Sequence, residues 1–195
     1  MKPTTQPTNP RIVILDRDGV INYDSADYIK TADEWRPIPG SAQAIALLCE
    51  SGFDVYVVTN QSGIGRGLFD ERAYRAITEK MLATIDAAGG SLKAVFYCPH
   101  SPDDDCNCRK PKTGLLQQVS AVSGQSLEGV PAIGDSLRDL QAAHSAGCQP
   151  ILVRTGNGSK TLSVLAEHAQ LTEKTRIFDN LADAAATLIA ERGRH

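Results

Sequence analysis

No apolar run among the 195 residues is long enough to cross a bilayer, and the opening, Met1 to Pro10, is polar and rich in Thr and Pro, unlike a signal sequence. The expectation is a cytoplasmic protein with a flexible segment over residues 1–10 and one domain over residues 11–195. Charge of one sign is also scarce: a formal net charge of -3 leaves no broad basic field to hold nucleic acid. Neither the Walker pattern nor the dinucleotide fingerprint occurs, so an NTPase or a dehydrogenase lacks its central support. Internal repeats and low-complexity linkers are missing as well. What is present, 42% hydrophobic and 22% charged residues, suffices for one ordinary core. The five cysteines are an odd number, and three lie between Cys98 and Cys108, which suits a metal site in a reducing compartment better than a disulfide framework.

Strand patterns alternate with helical ones. Apolar runs predict strands at Arg11 to Leu15, Asp54 to Val58, Ala94 to Tyr97, Val130 to Ile133 and Pro150 to Val153, with a weaker one at Arg176 to Phe178. Helical spacing covers Ala42 to Glu50, Glu71 to Ala88, Gly114 to Val122, Leu137 to Ala146 and Leu181 to Glu191. Such alternation implies a doubly wound α/β fold with a mostly parallel, Rossmann-like sheet. There is no room between Gly19 and Asp54, or between Gly67 and Ala94, for a full second domain. Loops alone would therefore roof a site, which favours a small substrate.

Chemistry-bearing residues gather where strands end. Asp16 and Asp18 follow Ile12-Val13-Ile14-Leu15, the position at which open α/β sheets bind ligands. One carboxylate can attack an electrophile while the other handles protons, or the pair can hold a divalent cation; a capping turn is the plain alternative. Thr59 ends the second strand, and its hydroxyl and the Asn60 N–H can each take a phosphoryl oxygen, with Gly63, Gly65 and Gly67 letting main-chain amides approach an anion. A ligand-free Gly-rich turn explains the same segment. Lys110 offers a compact charge for a phosphoryl group or for keeping Asp16 ionised, and the Arg109 fork suits a second phosphate or a carboxylate, although paired basic residues are commonly only solvated. Asp135, at the fourth strand end, can join Asp16 on a Mg²⁺ ion or cap a helix; Asp139 reads as a first-turn charge. Convergence of all of these on one crevice argues against chance.

Cys98, His100, Cys106 and Cys108 form a Cys₃His set on one loop, a closed tetrahedral zinc arrangement and hence a structural metal. The loop runs straight into Arg109 and Lys110 and would fix both over the site. Cys49 and Cys148 read as ordinary buried cysteines, while His144, His168 and His195 stand alone and are expected at the surface. The loop Arg154 to Gly158 either borders the site or has no part in it.

These residues resemble the haloacid dehalogenase superfamily, whose motifs are matched in order by Asp16-Arg17-Asp18-Gly19, Thr59-Asn60, Lys110 and Gly134-Asp135. The resemblance implies a core without a large cap and an aspartyl-phosphate mechanism: Asp16 attacks phosphorus, and Asp18 protonates the leaving alkoxide and then activates water. It also implies that Thr59 and Lys110 hold the transferring group while Asp16, the Asp18 carbonyl and Asp135 hold Mg²⁺. The zinc loop is similar to that of the small branch containing the heptose 1,7-bisphosphate 7-phosphatases and the histidinol-phosphate phosphatases. Thr59 to Gly67 resembles the heptose group, implying substrate contacts from Asn60, Gln61, Ser62 and Arg66 beside Arg109, and from the loop residues Asp24 and Asp27. The short stretch between His100 and Cys106 is more like the histidinol group. The heptose reading is favoured, implying a monomeric enzyme with a small sugar phosphate substrate on a route to lipopolysaccharide, with neither nucleic acid nor membrane as partner. Histidinol phosphate is the alternative substrate, and a catalytically silent phospho-ligand-binding module is the alternative class.

Overall fold

The computed structural model describes residues 12–193, so the expected flexible segment at 1–10, Arg11 and His195 lie outside the described residues. Among these, six strands form one parallel sheet: β1 (Ile12–Leu15), β2 (Asp54–Asn60), β3 (Ala94–Cys98), β4 (Pro131–Gly134), β5 (Gln149–Val153) and β6 (Arg176–Phe178). Their spatial order is β3-β2-β1-β4-β5-β6, and every neighbouring pair runs parallel. The helices are α1 (Ser41–Glu50), α2 (Ser62–Gly65), α3 (Glu71–Ala87), α4 (Gly114–Ser123), α5 (Leu137–Ser145), α6 (Gly158–Leu165), α7 (Ala169–Lys174) and α8 (Leu181–Arg192). No helix among the described residues is long and apolar enough to cross a membrane.

Strand side chains alternate between two cores, which explains why the strands read as unbroken apolar runs. Val13, Leu15, Val55 and Val57 pack with Ile45 and Leu48 of α1, Ile77, Met81 and Ile85 of α3 and Leu188 of α8. Ile12, Ile14, Tyr56 and Val58 pack with Leu115, Leu116 and Val119 of α4 and Ala142 and Ala143 of α5. All four β1 residues are at most 1% exposed. With roughly 1.5–3 kcal/mol from each buried aliphatic side chain, the point at which the chain leaves β1 is held firmly. Strand order reverses between β1 and β4, so the loops after them part and leave a crevice at the carboxyl edge of the sheet.

Local signals account for the helix starts. The Asp70 side chain accepts the Ala73 N–H at 2.8 Å, Asn180 accepts that of Asp183 at 3.0 Å, and Ser136 with Asp139 forms a capping box on α5. The elements differ from the sequence expectation mainly at the site. β2 extends through Asn60 and β3 through Cys98, so Thr59, Asn60 and the first cysteine of the cluster are strand residues rather than loop residues. The Gly-rich run also contains the single turn α2, and the region after β5 adds α6 and α7, short helices whose apolar spacing is too brief to stand out. Cys148 is buried as expected, whereas Cys49 is only half-buried and donates its thiol to the Ser91 carbonyl at 3.2 Å. His144 and His168 are half-buried.

Candidate active site

Four segments meet in a crevice of about 290 Å³ above the β1 and β4 ends: the chain after β1, the end of β2 with α2, the stretch before α4, and the start of α5. Asp16 leaves β1 with its N–H bonded to the Ile133 carbonyl at 2.8 Å, so the neighbouring strand fixes its backbone. Its Oδ1 accepts the Arg17 N–H at 2.7 Å and lies 3.0 Å from the Lys110 ammonium. Oδ2 has no hydrogen-bond partner among the described residues and remains available to a ligand.

Lys110 is 3% exposed and holds the floor together. Its ammonium reaches Asp139 Oδ1 at 2.6 Å, Asp16 Oδ1 at 3.0 Å and the Val58 carbonyl at 2.9 Å, which satisfies all three N–H bonds. Burial alone would lower its pKa, but Asp139 and Asp16 outweigh burial and raise it to about 12. Asn60 clamps the same residue through the backbone: its Oδ1 accepts the Lys110 N–H at 3.0 Å and its Nδ2 donates to the Lys110 carbonyl at 3.1 Å. Both ends of the Asn60 side-chain amide are thus taken up by Lys110, while Asn60 itself lines the crevice, where the contact expected of it is that of its backbone N–H.

Asp18 has a different environment. Arg17, 1% exposed, grips it through Nε at 2.9 Å and Nη2 at 2.8 Å, while Asn22 Nδ2 donates at 2.8 Å and Gln61 Nε2 at 2.9 Å. Burial pushes the Asp18 carboxyl up, yet Arg17 and these hydrogen bonds bring it below the usual carboxylate range. Its side chain is thus unavailable to a metal, whereas its carbonyl oxygen accepts no hydrogen bond among the described residues. Gln61 Nε2 also donates to Thr59 Oγ1 at 2.9 Å, which leaves the buried Thr59 hydroxyl free to donate its own proton.

Carboxylate oxygens of Asp16, Asp135 and Asp139 lie within 4.8 Å of one another. Burial, followed by mutual repulsion, raises Asp135 to about 8; burial and neighbouring acids raise Asp16 to about 7 against the pull of Lys110. Such crowding of hard oxygens suits a divalent cation, whose charge reverses the repulsion. Asp139 is the missed member of this group, yet both of its oxygens are engaged, one by Lys110 and one by the Ser136 N–H at 3.0 Å. It positions Lys110, and the free oxygens for a metal are those of Asp16, Asp135 and the Asp18 carbonyl. Gly19, with φ +81°, and Gly156, with φ +57°, pack directly on Asp135 Oδ2, where a Cβ on either would collide with the carboxylate.

The remaining expected residues divide. Asp24, Gln61, Ser62, Arg66 and Arg109 line the crevice. Asp27 is not among the lining residues: it is exposed, in a turn where its N–H bonds Ser25 Oγ at 3.2 Å. Arg66, Arg109 and Arg138 approach one another at the mouth, and Arg109 has its pKa lowered first by burial and then by Arg138. The loop after β5 does border the site. Asn157 donates its N–H to Asp135 Oδ2 at 2.7 Å and its Nδ2 to Asp24 Oδ2 at 2.8 Å, and Thr155 bonds the Gly19 carbonyl at 2.6 Å. Sequence offered no signal for Asn157 or for the Arg17 clamp, since both depend on tertiary placement.

Cys98, His100, Cys106 and Cys108 converge as their spacing predicts, and all five cysteines are free thiols. Cys98 Sγ lies 3.2 Å from Cys108 Sγ and 3.7 Å from Cys106 Sγ, and His100 Nδ1 lies 3.2 Å from Cys108 Sγ. A tetrahedral zinc with Zn–S near 2.3 Å sets its ligands roughly 3.5–3.8 Å apart, so the donor set fits that ion. The loop is joined to the site on both sides: the Cys98 carbonyl accepts the Gln61 N–H at 2.7 Å, and the Arg109 guanidinium donates to the His100 carbonyl at 3.3 Å. Treatment with a zinc chelator is expected to lower the unfolding temperature and the phosphatase rate together, with added Mg²⁺ restoring neither; a chelated protein with unchanged melting and rate would contradict a structural metal here.

A family model described as HAD-hydrolase-like matches residues 107–184, and one described as polynucleotide kinase 3 phosphatase matches residues 11–131. The chain is 50% identical over 181 residues to the D-glycero-beta-D-manno-heptose-1,7-bisphosphate 7-phosphatase of Bordetella bronchiseptica, covering 93% of this chain and 99% of the relative. It is 49% identical to the protein of that name from Pseudomonas aeruginosa, covering 91% and 97%. A crystal structure of the D,D-heptose 1,7-bisphosphate phosphatase from B. bronchiseptica, complexed with magnesium and phosphate, superposes with a TM-score of 0.88 at 50% identity, covering 92% of this chain and 98% of that one. The strand-end acids, the buried lysine and these full-length likenesses agree: the chain belongs to the haloacid dehalogenase superfamily of phosphatases and, within it, to the family of these heptose bisphosphate phosphatases.

Proposed function

We propose that this enzyme hydrolyses the 7-phosphate of D-glycero-D-manno-heptose 1,7-bisphosphate with Mg²⁺ through a phosphoryl-Asp16 intermediate. The full-length 50% match to a phosphatase of that name carries the reading, and the site accommodates its chemistry. The oxygens of Asp16 and Asp135 and the Asp18 carbonyl would hold Mg²⁺, which when bound neutralises phosphoryl charge and orients the phosphate. Asp16 Oδ2 attacks phosphorus while the ester P–O bond breaks, and Asp18 gives its proton to the departing alkoxide. Asp18 then takes a proton from water, which attacks phosphorus and releases phosphate, restoring Asp16. Hydrogen bonds from Arg17, Asn22 and Gln61 favour Asp18 in its ionised form, the form that accepts the proton of water. Proton donation in the first step requires Asp18 to loosen from Arg17. Thr59 donates to a phosphoryl oxygen, and Lys110 orients Asp16 and pulls toward its ionised form.

The second phosphate of a bisphosphate needs cations away from the reacting one. Arg66 and Arg109 line the crevice mouth, and neither forms an ion pair among the described residues. The product would feed the making of nucleotide-activated heptose for lipopolysaccharide. A reducing cytoplasm keeps the zinc-loop thiols available, and a monomer suffices because one chain supplies every residue named.

Phosphate release with Mg²⁺ from the heptose bisphosphate and from histidinol phosphate tests the reading. A kcat/KM favouring the bisphosphate by roughly 10²-fold or more is expected; a preference for histidinol phosphate would reassign the substrate. Asp16→Asn is expected to lower kcat by about 10⁴-fold with the unfolding transition retained, and a substantial residual rate would remove Asp16 as nucleophile. Arg109→Ala is expected to raise KM about 10- to 100-fold for the bisphosphate, the equivalent of a lost charge-assisted hydrogen bond, but little for a heptose monophosphate. Equal losses on both substrates would contradict a role for Arg109 at the second phosphate.

A further inference from the structure

Arg17 is 1% exposed, and burying a guanidinium is costly unless its charge is met. Asp18 is its one ion-pair partner among the described residues, through Nε and Nη2, and Nη1 has no hydrogen-bond partner among them. The proton transfers described above make that pairing intermittent, because Asp18 must turn from Arg17 to hand a proton to the departing alkoxide. For part of every cycle the buried cation has lost its carboxylate.

A second group meets the same charge. The Tyr74 ring, 4% exposed and close to the start of α3, has its centroid 5.9 Å from Arg17 Cζ, within the range at which the face of an aromatic ring attracts a cation. Tyr74 does not line the crevice. Tyr97, near the end of β3, packs on it with centroids 4.1 Å and planes 33° apart, and the Asp70 carbonyl accepts the Tyr74 N–H at 3.0 Å. Helix and sheet therefore hold the ring, and nothing that moves in turnover does. The Tyr74 hydroxyl is buried without a hydrogen-bond partner among the described residues, so the ring and not the hydroxyl is the part with work to do at Arg17.

We propose that Tyr74 is a positioning residue for proton transfer: its ring face holds the Arg17 guanidinium in place while Asp18 turns away and back, so that the carboxylate moves against a fixed partner. The inference rests on the reading of Asp18 as the acid and base of the reaction. It has a chemical signature, because the placement of Asp18 matters most where the leaving oxygen needs a proton and least where it departs as a stable anion.

The test measures kcat/KM on heptose 1,7-bisphosphate, whose alkoxide needs a proton, and on p-nitrophenyl phosphate, whose phenolate leaves without one, with melting temperatures alongside. Tyr74→Leu is expected to lose about tenfold on the bisphosphate, the worth of a desolvated cation–π contact, and about twofold or less on p-nitrophenyl phosphate. Tyr74→Phe is expected near wild type on both and to melt no lower, since it removes only a buried hydroxyl without a partner. Tyr74→Met, a flexible side chain without a ring, repeats the comparison where Tyr74→Leu melts early. In an Arg17→Met background, with no cation for the ring to hold, Tyr74→Leu is expected to cost about twofold or less. Equal losses on both substrates, or the whole loss persisting in Arg17→Met, would make Tyr74 merely structural, and full activity of Tyr74→Leu on the bisphosphate would remove the ring from the mechanism. Asp18→Asn separates the inference from the reading beneath it: a loss much larger on the bisphosphate upholds Asp18 as the acid, whereas equal losses would overturn that role and the inference with it.

Discussion

The site depends on one buried ammonium. Lys110, 3% exposed, has left water for a place where a lone charge would be costly, and it persists there because two carboxylates and a carbonyl meet all of its protons. Those acceptors come from three parts of the chain: Asp16 beyond β1, Val58 within β2 and Asp139 in the first turn of α5. The lysine itself arrives from the stretch ahead of α4, clamped through its backbone by Asn60. A single charge thereby fixes the relative positions of four segments whose side chains must agree to within a fraction of an ångström for phosphoryl transfer.

A second constraint is steric. Asp135 sits among backbone atoms of Gly19 and Gly156 that approach so closely that neither can carry a Cβ, while Gly134 is similarly crowded by Asp139. Crowding of this kind leaves the carboxylates few orientations, so the free oxygens of Asp16 and Asp135 are presented together before any ligand arrives. Two acids then have opposite electrostatic surroundings a few residues apart. At Asp16 burial and neighbouring acids outweigh the Lys110 ammonium, whereas Asp18 receives hydrogen bonds from a guanidinium and two amides that outweigh its burial. One environment suits binding of a cation and attack on phosphorus; the other suits exchange of protons with water.

Much of this was legible from residue order. Asp16, Thr59 and Asp135 could be placed because strand ends in a doubly wound sheet share one edge, and the clustered Cys98, His100, Cys106 and Cys108 required only that a loop close on itself. Asp139 was visible as a first-turn charge on α5, and it also closes the capping box with Ser136; its duty toward Lys110 follows from how α5 meets the sheet, which spacing does not encode. The backbone N–H of Asn60 could be proposed as a ligand contact because it follows Thr59, but nothing in the residue order showed that its side-chain amide clamps Lys110. In the neighbouring turn Asp27 is exposed while Tyr28 beside it lines the crevice, a difference of one residue that loop register alone does not reveal. Arg17, to which the sequence assigned no role, is almost fully buried because the turn after β1 directs it onto Asp18 and toward the Tyr74 ring, 5.9 Å away.

Residues 101–105 are bracketed by the converging side chains of His100 and Cys106, and most of them face solvent, with Pro102 at the crevice rim. Both ends of this short span are moored independently of what lies between them. Insertions or exchanges there would reshape the entrance while leaving the route from Cys106 to Lys110 undisturbed. The fold thus separates the part that must stay fixed for turnover from a part free to drift, so that related enzymes can change what they admit without rebuilding how they cleave it.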